Sequence, residues 1–269
     1  MLNSIFSSLK PLGFNDFDDI EIFKKEEKTQ TAVKGNIKKE FCTNIDINTL
    51  IFDREVTCPV CAQPFKTKAV KSNAPRIKSR DSDFLIRYNI INPLLYDVWL
   101  CPICGYAALK GDFHKIKNHQ KPLIIAKISN QWQGKKYPPI LNEQNAIERL
   151  KLALFNAVVA EAPNSTKAYI CLKIAWIYRL IENYEEERSF LLKALEGFLL
   201  AYSNEYTPFY GLDSHALMYL IGELYRRTDN EKEALVWFVN VVISRNAPFK
   251  IKEKARDMID VIKDSQKSN

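Results

Sequence analysis

Two Cys-x-x-Cys pairs are the residues of this chain whose types and spacing are best suited to chemistry. Cys58-Pro-Val-Cys61 and Cys101-Pro-Ile-Cys104 each carry two sulfurs on one tight turn, and a proline after the first cysteine restricts that turn. Four thiolates form the closed tetrahedral ligand set of structural zinc sites. We therefore predict one structural Zn²⁺ ion bound by Cys58, Cys61, Cys101 and Cys104. Iron is the alternative metal, because it binds in the same four-cysteine geometry.

Other interpretations of these pairs remain open. A redox-active Cys-x-x-Cys is one, although such motifs usually occur singly beside a βαβ unit, which the sequence does not show. Another is that His114 or His119 replaces one cysteine as a ligand. The 39 residues between Cys61 and Cys101 exceed the usual spacing of about 15–20, so we expect an elongated hairpin or an inserted loop.

Strands must bring the two pairs together. The pattern is strand-like over residues 45–57, alternates over 65–70, and is aromatic and partly β-branched over 94–100, directly before the second pair. These segments predict a small, mostly β zinc ribbon at residues 45–135. We expect residues 1–44 to form a poorly ordered N-terminal arm.

Helical periodicity begins after Tyr137-Pro-Pro139 and predicts a tetratricopeptide-like domain at residues 140–265. The expected helices lie at roughly 145–160, 166–181, 183–202, 213–227, 230–244 and 249–263. The best repeat unit carries its signature at Met218, Ile221, Gly222, Tyr225, Ala234, Phe238 and Val241. A weaker unit has Glu187 where a small residue is usual. The predicted fold class is α+β, mainly α, and the helices either bind a partner or only pack against the ribbon.

The segment between the cysteine pairs carries two further candidate sites. Arg80, Asp81 and Asp83 could brace the ribbon as an Arg–Asp network, recognise a polar or cationic ligand, or belong to an enzyme site. Basic residues here could instead contact nucleic acid, with aromatic rings stacking on bases. They are Lys66, Lys68, Lys71, Arg76, Lys78, Arg80 and Arg87, with the rings of Tyr88, Tyr96 and Trp99. A solvated hairpin with its aromatic rings in the core explains the same pattern.

Bulk properties restrict the class of protein. A net charge of +7 permits contact with nucleic acid but does not require it. No run of about 18 apolar residues is present, so we expect no membrane span, and the N-terminus lacks the features of a secretory signal. Six cysteines, four of them in pairs, favour metal binding in the reducing cytoplasm over disulfides. We expect the unpaired Cys42 and Cys171 to be small buried or half-buried residues.

The order of these motifs resembles a bacterial family catalogued as domain of unknown function 2225. Its resemblance covers residues 55–265 and rests on both cysteine pairs, the Arg80–Phe84 segment, Asn92-Pro-Leu-Leu-Tyr96 and Asp112-Phe113. The resemblance implies a bacterial cytoplasmic protein with two cysteine knuckles, a helical repeat-like C-terminal half and no established activity. One departure is Ala62, where glycine is the common residue in zinc knuckles.

These observations predict a zinc-binding interaction or scaffold protein with a protein partner on its helical domain. No residue is assigned a catalytic role. Nucleic-acid binding through the basic hairpin and an enzyme site around Arg80, Asp81 and Asp83 are the alternatives.

Overall fold

Three antiparallel hairpins form the first half of the part of the chain that the structure describes. This computed structural model describes residues 5–14, 21–23 and 46–267. The strands are β1 (Ile51–Thr57), β2 (Pro64–Val70), β3 (Ile77–Arg80), β4 (Ile86–Tyr88), β5 (Val98–Leu100) and β6 (Ala107–Leu109). They pair as β1–β2, β3–β4 and β5–β6, without a wider sheet among the described residues.

Two strand boundaries differ from those that the sequence pattern indicated. Residues 47–50 form a 3₁₀ turn before β1, with Asp46 accepting a hydrogen bond from Asn48 N. Pro93–Tyr96 is also a 3₁₀ turn rather than strand, and Asn92 Oδ1 caps it at 3.0 Å from Leu94 N. In both places a short polar side chain bonds the local backbone, which competes with strand pairing.

The second half is a helical bundle, and this confirms the α+β, mainly α fold class. Its elements are α1 (Lys121–Ile124), a π turn (Ile125–Ser129), α2 (Glu143–Val159), α3 (Asn164–Leu180), α4 (Tyr184–Asn204), α5 (Ser214–Arg227), α6 (Glu231–Ile243) and α7 (Phe249–Lys267). The bounds of α2 to α7 agree with the periodicity to within a few residues. Asn142, Asn183, Asp213 and Asn230 cap four of these helices.

The first turn of α3 is capped by a residue distant in sequence. Helix α3 begins at Asn164 after Pro163, and the Pro163 side chain makes no capping hydrogen bond. The carboxylate of Glu205 instead accepts from Ser165 N at 3.1 Å. Glu205, directly after the last residue of α4, therefore satisfies a backbone N–H that the local sequence leaves without a partner.

Two described stretches of the predicted N-terminal arm pack into the core. Phe6 and Phe14 are fully buried, with ring centroids 5.7 and 5.2 Å from that of Phe155 in α2. The ring of Phe23 lies so close to Gly197 that a Cβ there would come within 2.3 Å. Residues 1–4, 15–20 and 24–44 of the predicted arm lie outside the described residues, as does residue 45.

One core extends across both halves. Buried residues of the hairpins, such as Val98, belong to the same hydrophobic cluster as those of α2 to α5. Arg149 of α2 donates from Nη2 to Val98 O at 2.6 Å, which ties the first long helix to β5. The division of the chain at residues 135–140 stays a prediction.

Candidate metal centre

The two cysteine pairs lie at the turns of two different hairpins. Cys58 and Cys61 lie between β1 and β2, and Cys101 and Cys104 lie between β5 and β6. The four sulfurs lie within 4.8 Å of one another, with Cys58 to Cys104 and Cys61 to Cys101 both 3.6 Å apart. Sulfurs at tetrahedral corners about 2.3 Å from a zinc ion would be about 3.8 Å apart. This cluster is therefore the right size for a metal ion.

The two cysteine knuckles have the same kind of backbone turn. Ala62 N donates to Cys58 O at 2.9 Å, and Gly105 N donates to Cys101 O at 3.0 Å. Ala62 has φ +59° and Gly105 has φ +72°, so both lie in the left-handed region. Glycine adopts this conformation freely, whereas alanine pays about 1 kcal/mol or more. The departure at Ala62 therefore leaves the turn intact but strained.

Trp132 covers the second knuckle. Its Nε1 donates to Pro102 O at 2.9 Å, and a Cβ on Gly105 would lie 2.8 Å from the indole ring. Gly105 is thus required twice, for its backbone conformation and for the close approach of Trp132. The sequence pattern did not identify Trp132, because it lies far from the cysteines along the chain.

The thiols of this cluster affect one another's protonation. Hydrogen bonds from Cys104 and Cys58 lower the pKa of the Cys101 thiol below its ordinary value. The same contacts raise the pKa of Cys58, mainly through its hydrogen bond with Cys101, and raise that of Cys104. Ionisation of one thiol thus makes ionisation of the neighbouring thiols less favourable. A divalent cation would remove this conflict, because it binds deprotonated sulfur.

The other candidate ligands lie elsewhere. His114 and His119 are exposed and do not belong to the sulfur cluster. His114 instead packs its ring edge-on against Trp99 and Phe113. Cys171 is fully buried in α3, and burial raises the pKa of its thiol to about 12. Cys42 lies outside the described residues.

The Arg80–Phe84 segment is the turn between β3 and β4, and it inserts its carboxylates between helices. Asp83 is completely buried, and Arg179 of α3 donates to it from Nη1 at 2.9 Å and from Nη2 at 2.6 Å. Trp176 Nε1 also donates to Asp83, at 3.0 Å. Asp81 accepts from both Arg179 and Arg87. Arg80 is exposed and takes no part in this network.

A second buried acid completes the network on the other side of the turn. Glu223 of α5 is completely buried and accepts from Arg226 and Arg227. Ser82 Oγ donates to Glu223, and Tyr219 Oη donates to Ser82 O at 3.0 Å. The whole turn is therefore held by side chains of α3 and α5.

Arginine contacts keep Asp83 ionised. Burial acts to raise the pKa of Asp83, but hydrogen bonds and charge from Arg179, with Arg227, outweigh it and hold that pKa below its usual value. Arg179 has a third acidic partner in Glu187, which accepts from Nε at 2.6 Å. In the predicted weaker repeat unit, Glu187 stands where a small residue is usual, and its contact with Arg179 accounts for that departure. In the sequence, a charged residue within an otherwise apolar helical segment could have identified Arg179 and Glu223 as buried residues with charged partners.

The basic segment is divided between two hairpins rather than one. Arg87 is paired with Asp81 and Lys68 with Asp53. Two of the three candidate stacking rings are buried, Tyr96 at 5% and Trp99 at 8% exposure. The basic residues that remain exposed are Lys66, Lys71, Arg76, Lys78 and Arg80.

Comparisons with known proteins identify relatives of this chain. A family model described as "Uncharacterized protein conserved in bacteria" (DUF2225) matches residues 51–262. An uncharacterized protein of Borreliella burgdorferi is 22% identical, with 66% of this chain and 79% of the relative covered. No solved structure matches the chain. None of the described helices has the length and apolar character needed to span a membrane.

Proposed function

The chain belongs to the bacterial protein family DUF2225, and from the residues of this chain we propose a function with two parts. Cys58, Cys61, Cys101 and Cys104 bind one structural zinc ion that joins two hairpins, and the helical half binds another protein. The observation that carries the metal site is the convergence of four sulfurs from two distant knuckles within 4.8 Å. The reduced thiols that such a site needs fit a cytoplasmic location.

A structural role for the metal follows from the ligand set. Four thiolates complete the tetrahedron, so no position is left for a reacting water molecule. β1–β2 and β5–β6 share no backbone pairing in the described chain, and an ion would link their turns directly. Structural zinc contributes about 10–16 kcal/mol of apparent binding energy in small zinc domains. That is enough to decide whether these short hairpins fold.

Elemental analysis of the purified protein tests the metal site. We expect one zinc ion per chain in the wild type and in Cys171→Ala, whose thiol lies in the helical core. Cys101→Ser should lose the ion and unfold at lower temperature. A wild type without metal, or a Cys101→Ser variant that retains its ion, would overturn the assignment. Iron in place of zinc would change the metal but keep the ligands.

The helical half has features of a tetratricopeptide-like array. Gly222 of α5 faces Phe238 of α6 so closely that a Cβ would meet the ring at 2.8 Å. Ala234 and Phe238 are completely buried between the helices. A small residue facing an aromatic one is the packing that the repeat signature encodes, and such arrays usually serve as binding surfaces.

Helix α6 provides the surface that best fits a protein partner. Its sequence is apolar nearly all round, which is typical of a buried helix. Nevertheless Val236, Val239 and Ile243 are 54%, 44% and 69% exposed, and Phe249 nearby is 72% exposed. We call these four residues the α6 stripe. An apolar stripe at helical spacing fits the apolar face of another polypeptide.

Affinity capture with matched variants tests this surface. A partner recovered with the wild type should bind again as a purified protein and should be lost with Val239→Glu. Lys71→Glu, which makes a charge change of the same sign on the hairpin half, should leave that binding unchanged. Equal effects of the two variants, or no loss with Val239→Glu, would contradict a role for the α6 stripe.

The two alternatives have less support in the geometry. Nucleic-acid binding retains five exposed basic residues but lacks two stacking rings, because Tyr96 and Trp99 are buried. It predicts a steep loss of affinity with salt and with Lys71→Glu. An enzyme site at Arg80, Asp81 and Asp83 would need a carboxylate that a substrate can reach. Asp83 is completely buried, and Asp81 is bound by two arginines.

A further inference from the structure

A cleft lies between the hairpins and the helices. It consists of two adjoining cavities of about 460 and 540 Å³. Both are lined by Asp97, Lys110, Tyr169, Lys173 and Tyr210, and we call their union the Tyr210 cleft. The hairpin half supplies the first two residues and the helical half supplies the other three. The cleft is separate from the four cysteines and from the α6 stripe, neither of which lines it.

Positive charge is in excess in the cleft, because four cationic side chains line it (Arg80, Lys110, Lys115 and Lys173) against two carboxylates (Asp97 and Asp112, the latter paired with Lys115). Asp97 accepts from Lys173 Nζ at 2.8 Å and contacts Lys110 Nζ at 3.2 Å, so one carboxylate faces two ammonium groups. The Lys173 side chain is 9% exposed and that of Asp97 is 14% exposed, whereas that of Lys110 is 53% exposed. Lys110 can therefore turn toward a bound molecule while Lys173 stays on Asp97. Arg80 adds a further positive charge to the lining.

Two residues with strained, left-handed backbones also line the Tyr210 cleft. Among the described residues, Phe84 and Tyr210 are the bulky aromatic ones with left-handed backbones, at φ +71° and +52°. Both line the cleft. Bulky residues rarely adopt this conformation, and where they do, the strain is often found at ligand-binding sites.

Tyr210 is held firmly in its strained position. Its hydroxyl is hydrogen-bonded to Asp112 Oδ2 at 2.7 Å and to Thr166 Oγ1 at 2.8 Å. Its ring stacks on that of Tyr169, with centroids 4.3 Å apart. The segment that carries Tyr210 lies between α4 and α5, and it is longer than a repeat connection requires. This extra chain builds one wall of the cleft.

Apolar surface forms the rest of the wall. The larger part of the first cavity is lined by carbon, from Phe84, Leu94, Trp176, Leu220 and Ile251. Flat rings and aliphatic groups around a few placed charges are typical of small-molecule sites. The combination selects a ligand with one anionic end and one apolar end.

We propose that the Tyr210 cleft binds a small organic anion with a flat apolar body. Lys110, with Lys173 behind it, contacts the anionic group, and Trp176 and Phe84 pack against the apolar body. The ligand touches both halves of the protein, so binding stabilises their contact. This site is additional to the metal and to the partner surface.

A pair of dyes that differ by one charge tests the proposal. The first is 1-anilinonaphthalene-8-sulfonate, and the second is N-phenyl-1-naphthylamine, which has the same rings without the sulfonate. Titration calorimetry at low ionic strength measures the stoichiometry and affinity of each dye. All proteins carry Val239→Glu, so that dye bound to the α6 stripe does not contribute.

Variants of Lys110 test whether the positive charge of this residue, rather than the shape of the cleft, determines the affinity for the dye. We expect one sulfonate dye per chain, bound about 5- to 10-fold more weakly by Lys110→Met and at least about 30-fold more weakly by Lys110→Glu. Lys71→Met, which removes a charge from the outer hairpin, should leave the affinity unchanged. The neutral dye should bind more weakly than the sulfonate dye and equally to all variants.

Three results would overturn the proposal. They are the absence of sulfonate-dye binding, equal sulfonate-dye affinity in Lys110→Met, Lys110→Glu and the parent, and a neutral dye that binds as tightly as the charged one. Thermal unfolding of each variant, recorded without dye, ensures that only folded proteins are compared. Lys110 is half exposed, so we expect its replacement to leave the melting temperature close to that of the parent.

Discussion

Arg179 Nη2 lies 2.6 Å from Asp83 Oδ2, although 96 residues separate the two along the chain. Asp83 is at the turn between β3 and β4 and Arg179 is near the end of α3, so this contact joins the hairpin half to the helical half. Its neighbours Trp176 and Arg227 reach the same carboxylate.

Removing one partner of the buried pair should be costly. Asp83→Ala leaves the guanidinium of Arg179 with less compensating charge, and we expect the free energy of unfolding to fall by about 3–5 kcal/mol. Urea denaturation measures this change. Asp53→Ala removes the partner of Lys68 in an exposed pair and should cost at most about 1 kcal/mol. Similar losses for the two variants would show that the buried network is not stabilising.

Acid should weaken the same network. The pKa of Asp83, ordinarily 3.8, is lowered in the folded protein, and so are those of Asp81 and Asp97. A lowered folded pKa contributes stability that is fully present above the ordinary value and is lost as pH falls through the folded pKa. We therefore expect this contribution to be constant from about pH 5 to 8 and to decline below about pH 4.

Asp83→Asn provides the control for that pH dependence. It removes one of these carboxylates, so the difference in unfolding free energy between wild type and variant should shrink as pH falls below about 4. Comparing the difference removes contributions from the cysteine cluster, which both proteins share. A difference that stays constant down to pH 3 would contradict the assignment.

The two knuckles should respond in opposite ways to exchange of alanine and glycine. Ala62→Gly relieves a left-handed alanine and should stabilise the protein by about 0.5–1 kcal/mol. Gly105→Ala adds a Cβ 2.8 Å from the Trp132 ring and should destabilise by about 2–4 kcal/mol. Thermal and urea unfolding measure both. If steric overlap with the indole ring causes the loss, Gly105→Ala should destabilise a Trp132→Ala protein less than it destabilises the wild type. The same loss in both backgrounds would exclude steric overlap as the cause.

Packing between α5 and α6 should show the same kind of coupling. Gly222→Ala places a Cβ 2.8 Å from the Phe238 ring, and we expect a loss of about 1–3 kcal/mol. Phe238→Leu alone should also destabilise, because it shortens a completely buried side chain. The double variant should lose less than the sum of the single ones. Additive losses would show that the two residues do not constrain each other.

Local patterns were sufficient to predict the features that depend on neighbouring residues. Helix periodicity predicted α2 to α7, because an amphipathic helix repeats its apolar face every few residues. Motif order predicted the family, which the match over residues 51–262 confirms. Where a local group competes with the pattern, as Asn92 does before β5, the strand boundary was wrong.

The network around Asp83 could not be predicted in the same way. Arg80, the nearest arginine in sequence, is exposed, and the arginines that bind the turn come from α3, α5 and β4. Charged residues within an apolar helix indicate a buried partner but do not identify it. The identity of that partner depends on how the helices pack.

The sequence by itself determined the helices, the mainly α fold class, the family and the four cysteines that could act as ligands, because spacing along the chain encodes each of them. Only the tertiary structure decided that Trp132 covers Gly105, that Arg179 binds Asp83, and that Tyr210 lines a cleft. Those contacts join residues far apart in sequence. Their formation depends on the burial of the whole core, which no local pattern specifies.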